Sequence, residues 1–565
     1  MTRALPISLL AAVAFIGGLV VGSGDELESA VRFAQAWERD DFDAMYDELS
    51  PGAADETSAD AFAGAYEEAE HTATVTSVDA GELREGETAD GRDAAIVPVD
   101  LHTHAWSVQS GEIALPLEDG LVDWQPELVY PGLTDGETLD RRTRAPKRAS
   151  ILASDGTPLA AGPAAARSSP LGLSASAVAG TVDSPKKAQE QELDAQGFPP
   201  GTLAGTSGLE LAFNDRLDGQ PSGQLLAKAS GGSARELASA NPTPGEAVRT
   251  TIDPELQEAA VTALGDLFGG VAVLDATNGA VLGLAGIAFS APQPPGSTFK
   301  VITTTAALDA GVVKLTDTFP VETGTVIDGR EVANAHDESC GGTFVESFAH
   351  SCNSVFAPLG VEVGADRLID AAEKFGFNSQ PALYNAEATA AVDPPESTIP
   401  TELDSDLDVG VSAIGQGEVL ATPLELASAA QTIAAGGLRS PTSIAKDPDL
   451  RPDGEPVRVT SEETAKLLTQ LMIRVVTEGT GTAAALPGVQ VAGKTGTAEL
   501  GPKALESGQE LGPGEEAEQE LDAWFTAFAP ASEPQLAAAA MVVNADGDGG
   551  TVAAPIVREV LAAGL

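Results

Sequence analysis

The sequence predicts an α+β multidomain protein that ends in an antiparallel sheet flanked by helices. Three observations carry that expectation. At 565 residues the chain is too long for one hydrophobic core, and ordinary domain sizes divide it into about three or four. From Val248 onward, two apolar strands, a helical middle, three further strands and a closing helix follow one another, an order that segregates helices from an antiparallel sheet. Ahead of that region, a helical repeat gives way to alternating strands, the pattern of a separate small α+β domain.

After Thr2 and Arg3, the run "ALPISLLAAVAFIGGLVVG" carries no charge and is near the length that crosses a bilayer. Residues 1–24 are read as a membrane anchor with its N-terminus inside, and a cleaved secretion signal is the alternative. Residues 25–140 form the small α+β domain. In "ELESAVRFAQAWERDDFDAMYDEL", Leu27, Val31, Ala34 and Trp37 share a helical face, and a second short helix starts near Asp41. In "AIVPVDLHTHAW", Val97, Val99 and Leu101 point one way, and Asp100, His102 and His104 the other. The two histidines have metal-ligand spacing without a third ligand, so a solvated strand face is the reading and no metal is expected. The basic segment "RRTRAPKR" opens an irregular second domain, residues 141–247, rich in Gly, Ser, Pro and Ala.

Residues 248–565 are the main domain. In "TTIDPELQEAAVTAL", Asp253 caps a helix with Pro254 at its first position. "GVAVLDATNGAVLGLAG" is a hairpin turning at Asn278-Gly279. "VQVAGKTGTAEL", "DAWFTAFAP" and "QLAAAAMVVNA" are strands, and "VAAPIVREVLAAG" is the last helix. Between the first two of these strands, the acidic, glycine-rich stretch Gly501 to Ala523 reads as a mobile loop.

Eighty-five acidic against 31 basic side chains give a net charge of -54, which opposes nucleic acid and anionic lipid surfaces as partners. The two cysteines, Cys340 and Cys352, stand twelve positions apart. Outside the membrane they are expected to close a short loop as a disulfide, worth up to about 3 kcal/mol in the chain-entropy model; a pair of buried thiols is the alternative.

Ser-x-x-Lys occurs three times, as Ser184/Lys187, Ser297/Lys300 and Ser443/Lys446. The first precedes a polar run with almost no apolar face, and the third runs into a loop. Only Ser297 leads into an amphipathic helix, where Phe299, Ile302 and Ala306 face a core while Ser297 and Lys300 share the first turn. There the helix dipole favours a developing negative charge. Downstream lie Ser351-Cys352-Asn353 and then Lys494-Thr495-Gly496-Thr497, the latter on an expected strand. Each element alone is common. Their order and settings are not.

With "GTSGLELAFNDRLDGQPSG", "PGSTFK", "SCNSVFAPLG", "AIGQGEVLATPLELASAAQTIAAGG" and "GKTGTAE", the chain resembles the penicillin-binding transpeptidase family in its monofunctional class B branch. The N-terminal domain resembles the NTF2-like domain of a subset of that branch. One departure stands out. "RASILASDGTPLA" lacks the glycine and arginine of the family's Arg-Gly-x-Ile-x-Asp-Arg-x-Gly box.

The resemblance implies a serine transpeptidase/β-lactamase-like fold with a five-stranded antiparallel sheet, and a penicillin-binding protein dimerisation-type domain over 141–247. It implies a D,D-transpeptidase of peptidoglycan stem peptides that β-lactams acylate. Ser297 would be the nucleophile and Lys300 its base. Ser351 would relay protons, Asn353 would hold the substrate amide, and Lys494 would meet the substrate carboxylate. Thr495, Gly496 and Thr497 would line the substrate strand, and no cofactor is implied. A membrane glycan polymerase is the expected partner. A β-lactamase or D,D-carboxypeptidase, and a non-catalytic sensor of β-lactams or peptidoglycan, are the rival readings.

Overall fold

The structure, a computed structural model, describes residues 27–385, 394–502 and 519–565. The apolar run at the N-terminus lies outside the described residues, as do residues 503–518 of the acidic stretch. Among the described residues no helix is long and apolar enough to cross a membrane. The chain forms two compact units. One comprises residues up to Lys147 with 185–202 and 219–244; the other comprises 148–184, 203–218 and 245–565.

In the first unit, helix α1 (Glu28–Trp37) buries Ala30, Phe33, Ala34 and Trp37, and Leu27 just ahead of it is buried too. Val31, expected on that face, is half-buried, because the buried stripe is centred on Phe33. Asp41 caps the short helix that follows. Helix α2 (Ala59–Ala73) brings Phe62 and Tyr66 against Phe33, Trp37 and Trp124. Strands β1 (Val75–Ala80), β2 (Asp93–Thr103) and β3 (Ser107–Glu118) pair antiparallel, with Val97, Val99 and Leu101 in the core. His102 bonds Asp79, and no metal cluster exists among the described residues. Strand β4 (Glu137–Arg144) carries the start of the basic segment and pairs with β5 (Ser222–Ala229).

The second unit is organised by a five-stranded antiparallel sheet. Helix α3 (Pro254–Leu264) starts at Asp253, whose carboxylate accepts from the N–H groups of Glu255 and Leu256. Strands β6 (Gly269–Asp275) and β7 (Val281–Gly286) form the expected hairpin. The chain then builds the helical middle, which includes α4 (Lys300–Asp309), α5 (Asn353–Val363), α6 (Pro423–Ala434) and α7 (Glu462–Thr477). It returns as β8 (Ala492–Pro502), β9 (Gln519–Ala529) and β10 (Leu536–Val542), and ends in α8 (Ala554–Gly564). The sheet order is β7-β6-β10-β9-β8, with β8 at an edge.

Strand β10 shows why both faces are covered. Its seven residues are all buried, and alternate ones enter different cores: Ala537, Ala539 and Met541 face the helical middle, while Leu536, Ala538, Ala540 and Val542 pack with α3 and α8. Residues 501, 502 and 519–523, expected in the loop, extend β8 and β9, because the ladder continues through Glu499 opposite Leu521 and Gly501 opposite Glu520.

Candidate active site

Gly296–Phe299 is a single 3-10 turn that runs into α4, so Ser297 lies on the turn and Lys300 is the first residue of the helix. Phe299 and Ile302 anchor that turn in the core, with Phe299 edge-on to Phe377. Ser297 is half-exposed and its hydroxyl makes no hydrogen bond with a described residue. The turn is pressed against β8. A Cβ on Gly496 would come within 2.5 Å of the Pro295 carbonyl, and one on Gly296 within 2.4 Å of the Thr497 carbonyl, so side chains at either position would push Ser297 off the strand.

Lys300 is fully buried. Its Nζ donates to Ser351 O at 2.7 Å, to Asn353 Oδ1 at 2.7 Å and to Ser351 Oγ at 3.2 Å. Lys494, also fully buried, reaches the same hydroxyl from β8, donating to Ser351 Oγ at 2.9 Å and to Thr495 O at 2.9 Å. The rings of Phe356 and Phe348 lie beside the two ammonium groups, 5.3 Å and 5.8 Å from them. Burial, and then the nearby Lys494 charge, hold the Lys300 ammonium well below its ordinary range. Burial brings Lys494 down to about 7. Both lysines thus share one hydroxyl, that of Ser351, and burial favours the neutral amine in each.

Ser351 sits in the left-handed region at φ 61°, a conformation that costs a non-glycine residue energy and is concentrated at functional sites. Cys352 is joined to Cys340 by a disulfide, with Cα atoms 5.3 Å apart, and α5 begins at the next residue. Asn353 Nδ2 donates to Ala333 O at 2.8 Å. A carbonyl only accepts, so this bond fixes which end of the amide faces Lys300.

Asn334 had no signal in the sequence. Its buried amide donates to Glu322 O and Glu338 O and accepts from Ser354 N–H at 2.8 Å, tying the Thr318–Cys340 segment to the start of α5. Gln416, inside a quoted stretch but given no role there, donates to Thr497 O at 3.4 Å. Thr495 is buried and shares a 2.5 Å hydrogen bond with the Thr480 hydroxyl, whereas Thr497 is half-exposed. The other two serine/lysine pairs are separate. Ser184 and Lys187 are both exposed, and Lys446 donates to Ser154 O.

Residues 269–562 match the penicillin-binding protein transpeptidase domain, 159–250 the penicillin-binding protein dimerisation domain, and 26–137 the NTF2-like N-terminal transpeptidase domain. The first match alone covers more than half of the chain, which belongs to the penicillin-binding protein transpeptidase family, in its class B branch. The chain is 36% identical over 304 residues to the peptidoglycan D,D-transpeptidase PbpA of Mycobacterium tuberculosis, covering 49% of this chain and 56% of that protein. It thus spans little more than half the length of that relative. Penicillin-binding protein A of the same organism shares the fold with a TM-score of 0.57 at 28% identity, covering 74% of this chain and 99% of that one. Its penicillin G acyl-enzyme complex matches equally well.

Proposed function

We propose that the protein is a peptidoglycan D,D-transpeptidase working through an acyl-enzyme on Ser297. The observation that carries this is the convergence of two buried, proton-shedding lysines on the Ser351 hydroxyl, next to a serine turn packed on the Lys-Thr-Gly strand. The penicillin G acyl-enzyme of a relative supports it.

In this mechanism the substrate's terminal carboxylate lies along β8, held by Lys494 and the Thr497 hydroxyl, while Thr495 is steadied by Thr480. Asn353 orients the substrate amide. Ser297 Oγ attacks the carbonyl of the penultimate D-alanine as neutral Lys300 takes its proton. The Ser297 side chain and Lys300 meet only as substrate settles, which suits catalytic hydrogen bonds that tighten in the complex. Backbone N–H groups of Ser297 and Thr497 stabilise the oxyanion, a contribution of about 3 to 4 kcal/mol per donor in other enzymes. Collapse breaks the peptide bond. Terminal D-alanine leaves with a proton relayed through Ser351, and an acceptor amine from a second stem then takes the acyl group and restores Ser297. A β-lactam follows the first half only, since its opened ring stays attached.

The N-terminal apolar run would hold the catalytic unit on the outer side of the membrane, within reach of a glycan polymerase. Product analysis with a stem peptide and an acceptor amine tests the reading. A cross-linked dimer is expected; free acid alone makes the protein a carboxypeptidase, and no product with retained penicillin labelling makes it a sensor.

A further inference from the structure

Helix α6 opens with Thr422-Pro423-Leu424-Glu425, the pattern of a capping box. Half of the box forms: Thr422 Oγ1 accepts from the Glu425 N–H at 3.2 Å. In the other half, the glutamate carboxylate would reach back to the Thr422 N–H. Here that N–H donates to Ser397 Oγ at 3.1 Å instead. The glutamate's structural task is therefore taken by another residue. Glu425 is 4% exposed, and its Oε1 is buried with no hydrogen-bond partner among the described residues. Burial pushes the carboxyl up to about 7, although Arg439 pulls it the other way. A buried acceptor left unpaired is costly and rare in native proteins.

Glu425 lines a cavity of about 200 Å³ together with Gly376, Ser428 and Arg439, and exposed Asp453 and Glu455 also border it. The Arg439 guanidinium makes no hydrogen bond or ion pair with any described residue, Glu425 included. Gly376 separates the two groups. A Cβ there would fall 2.4 Å from Arg439 Nη1 and 2.5 Å from Glu425 Oε1, and the residue's φ of 119° favours glycine. Both groups thus pack against the glycine itself, and no side chain at 376 stands between the buried carboxylate and the half-exposed guanidinium.

We propose that this cavity binds a small α-amino acid as its zwitterion, with the ammonium group on Glu425 and the carboxylate on Arg439. A simple cation would leave Arg439 unanswered. A simple anion would leave Glu425 unanswered and would also meet Asp453 and Glu455. Only a ligand with both charges a few bonds apart satisfies both walls, and a cavity of this size admits glycine or alanine. The site shares no residue with the Ser297 cleft, so the inference stands apart from the acyl-transfer reading.

The test is calorimetric titration of the full chain at neutral pH with D-alanine, L-alanine and glycine, using ethylamine and acetate as single-charge controls. Saturable binding of at least one amino acid is expected, with the controls weaker. Glu425→Gln and Arg439→Gln should each weaken it by about tenfold or more, as loss of a charge-assisted bond does, while penicillin acylation persists. Ser297→Ala should bind as the parent does. The proposal is overturned if none of the three amino acids saturates, if both wall variants bind unchanged, or if Ser297→Ala abolishes the heat. Crystals grown with the bound amino acid give a readout that needs no variant: ligand density between Gly376, Glu425 and Arg439 is expected, and water alone there overturns the proposal.

Discussion

Around Arg148 the C-terminal unit sets one buried and one partly buried arginine against two buried acids; around Ser351 it buries two lysines with no acid among the described residues paired to either. In the first cluster Arg148 donates to Glu210 Oε2 at 2.8 Å, Asn214 Oδ1 at 3.1 Å and Asp218 Oδ1 at 2.5 Å, and Arg167 reaches the other Glu210 oxygen at 2.6 Å. The charges balance, and the planar guanidinium groups fit the carboxylates. In the second cluster like charges crowd one hydroxyl, and burial drives both lysines toward the neutral amine. Matched buried charge holds a fold together. Unmatched buried charge stores a readiness to move protons.

The strongest way to break that contrast is at the nucleophile. Ser297→Ala should abolish covalent labelling by a fluorescent penicillin, while Ser184→Ala and Ser443→Ala leave it intact; labelling that survives Ser297→Ala removes the assignment. Lys300→Ala should slow acylation roughly a hundredfold or more, the usual weight of a general base, with the fold kept because Phe299 and Ile302 still anchor the helix. An unchanged rate would mean another group is the base. The pH profile sharpens the point. Acylation needs neutral Lys300, so the rate rises with pH through the Lys300 pKa. Lys494→Gln removes the second cation that depresses it, so the acid limb should move to higher pH as the overall rate drops. A limb that stays put would mean that the two lysines do not sense each other.

The paired cluster should respond in stability instead. Arg148→Ala leaves Asp218 buried without its cation and should cost about 3 to 5 kcal/mol in denaturant unfolding, the range for breaking a buried ion pair. Lys300→Met should cost less, since it strands no buried acid. Equal losses would erase the distinction between the clusters.

Much of the site was legible because its signals are local. The Asp253-Pro254 cap, the Asn278-Gly279 turn and the strand setting of Lys494 each depend on a few neighbouring residues, and all formed where the pattern put them. Ser297 stood out because it leads into a helix with an apolar face, whereas Ser184 precedes a polar run and Ser443 a loop. Other features depend on residues distant in sequence. Asn334 is one polar residue among many, and only the fold brings Glu322, Glu338 and Ser354 to it. The burial of Thr495 against Thr480 likewise joins a strand to the turn beyond α7. Nor does composition reveal that residues 185–202 and 219–244 rejoin the first unit while their flanks join the second, since that depends on pairings such as β4 with β5.

Glu425 supplies a third arrangement, a buried acid with no ion-pair partner among the described residues, and gives the smallest expected effect. Its folded pKa of about 7 stands above the ordinary 4.5. Between those values the native state holds a proton that the unfolded chain has released, so unfolding free energy falls as pH rises through this window. Below it the penalty is absent; above it the penalty is complete, up to about 3 kcal/mol at 1.36 kcal/mol per unit. Glu425→Gln does not titrate and should escape the loss. Its melting temperature should exceed the parent's at pH 8, with the gain shrinking toward pH 5. If the cavity takes an amino acid, adding one at pH 8 should raise the parent's melting temperature and leave the variant's nearly unchanged, because only the parent offers a carboxylate to the ammonium. A gain of equal size at both pH values would show that the glutamine improves packing, and that the carboxylate bears no cost for being ready to bind.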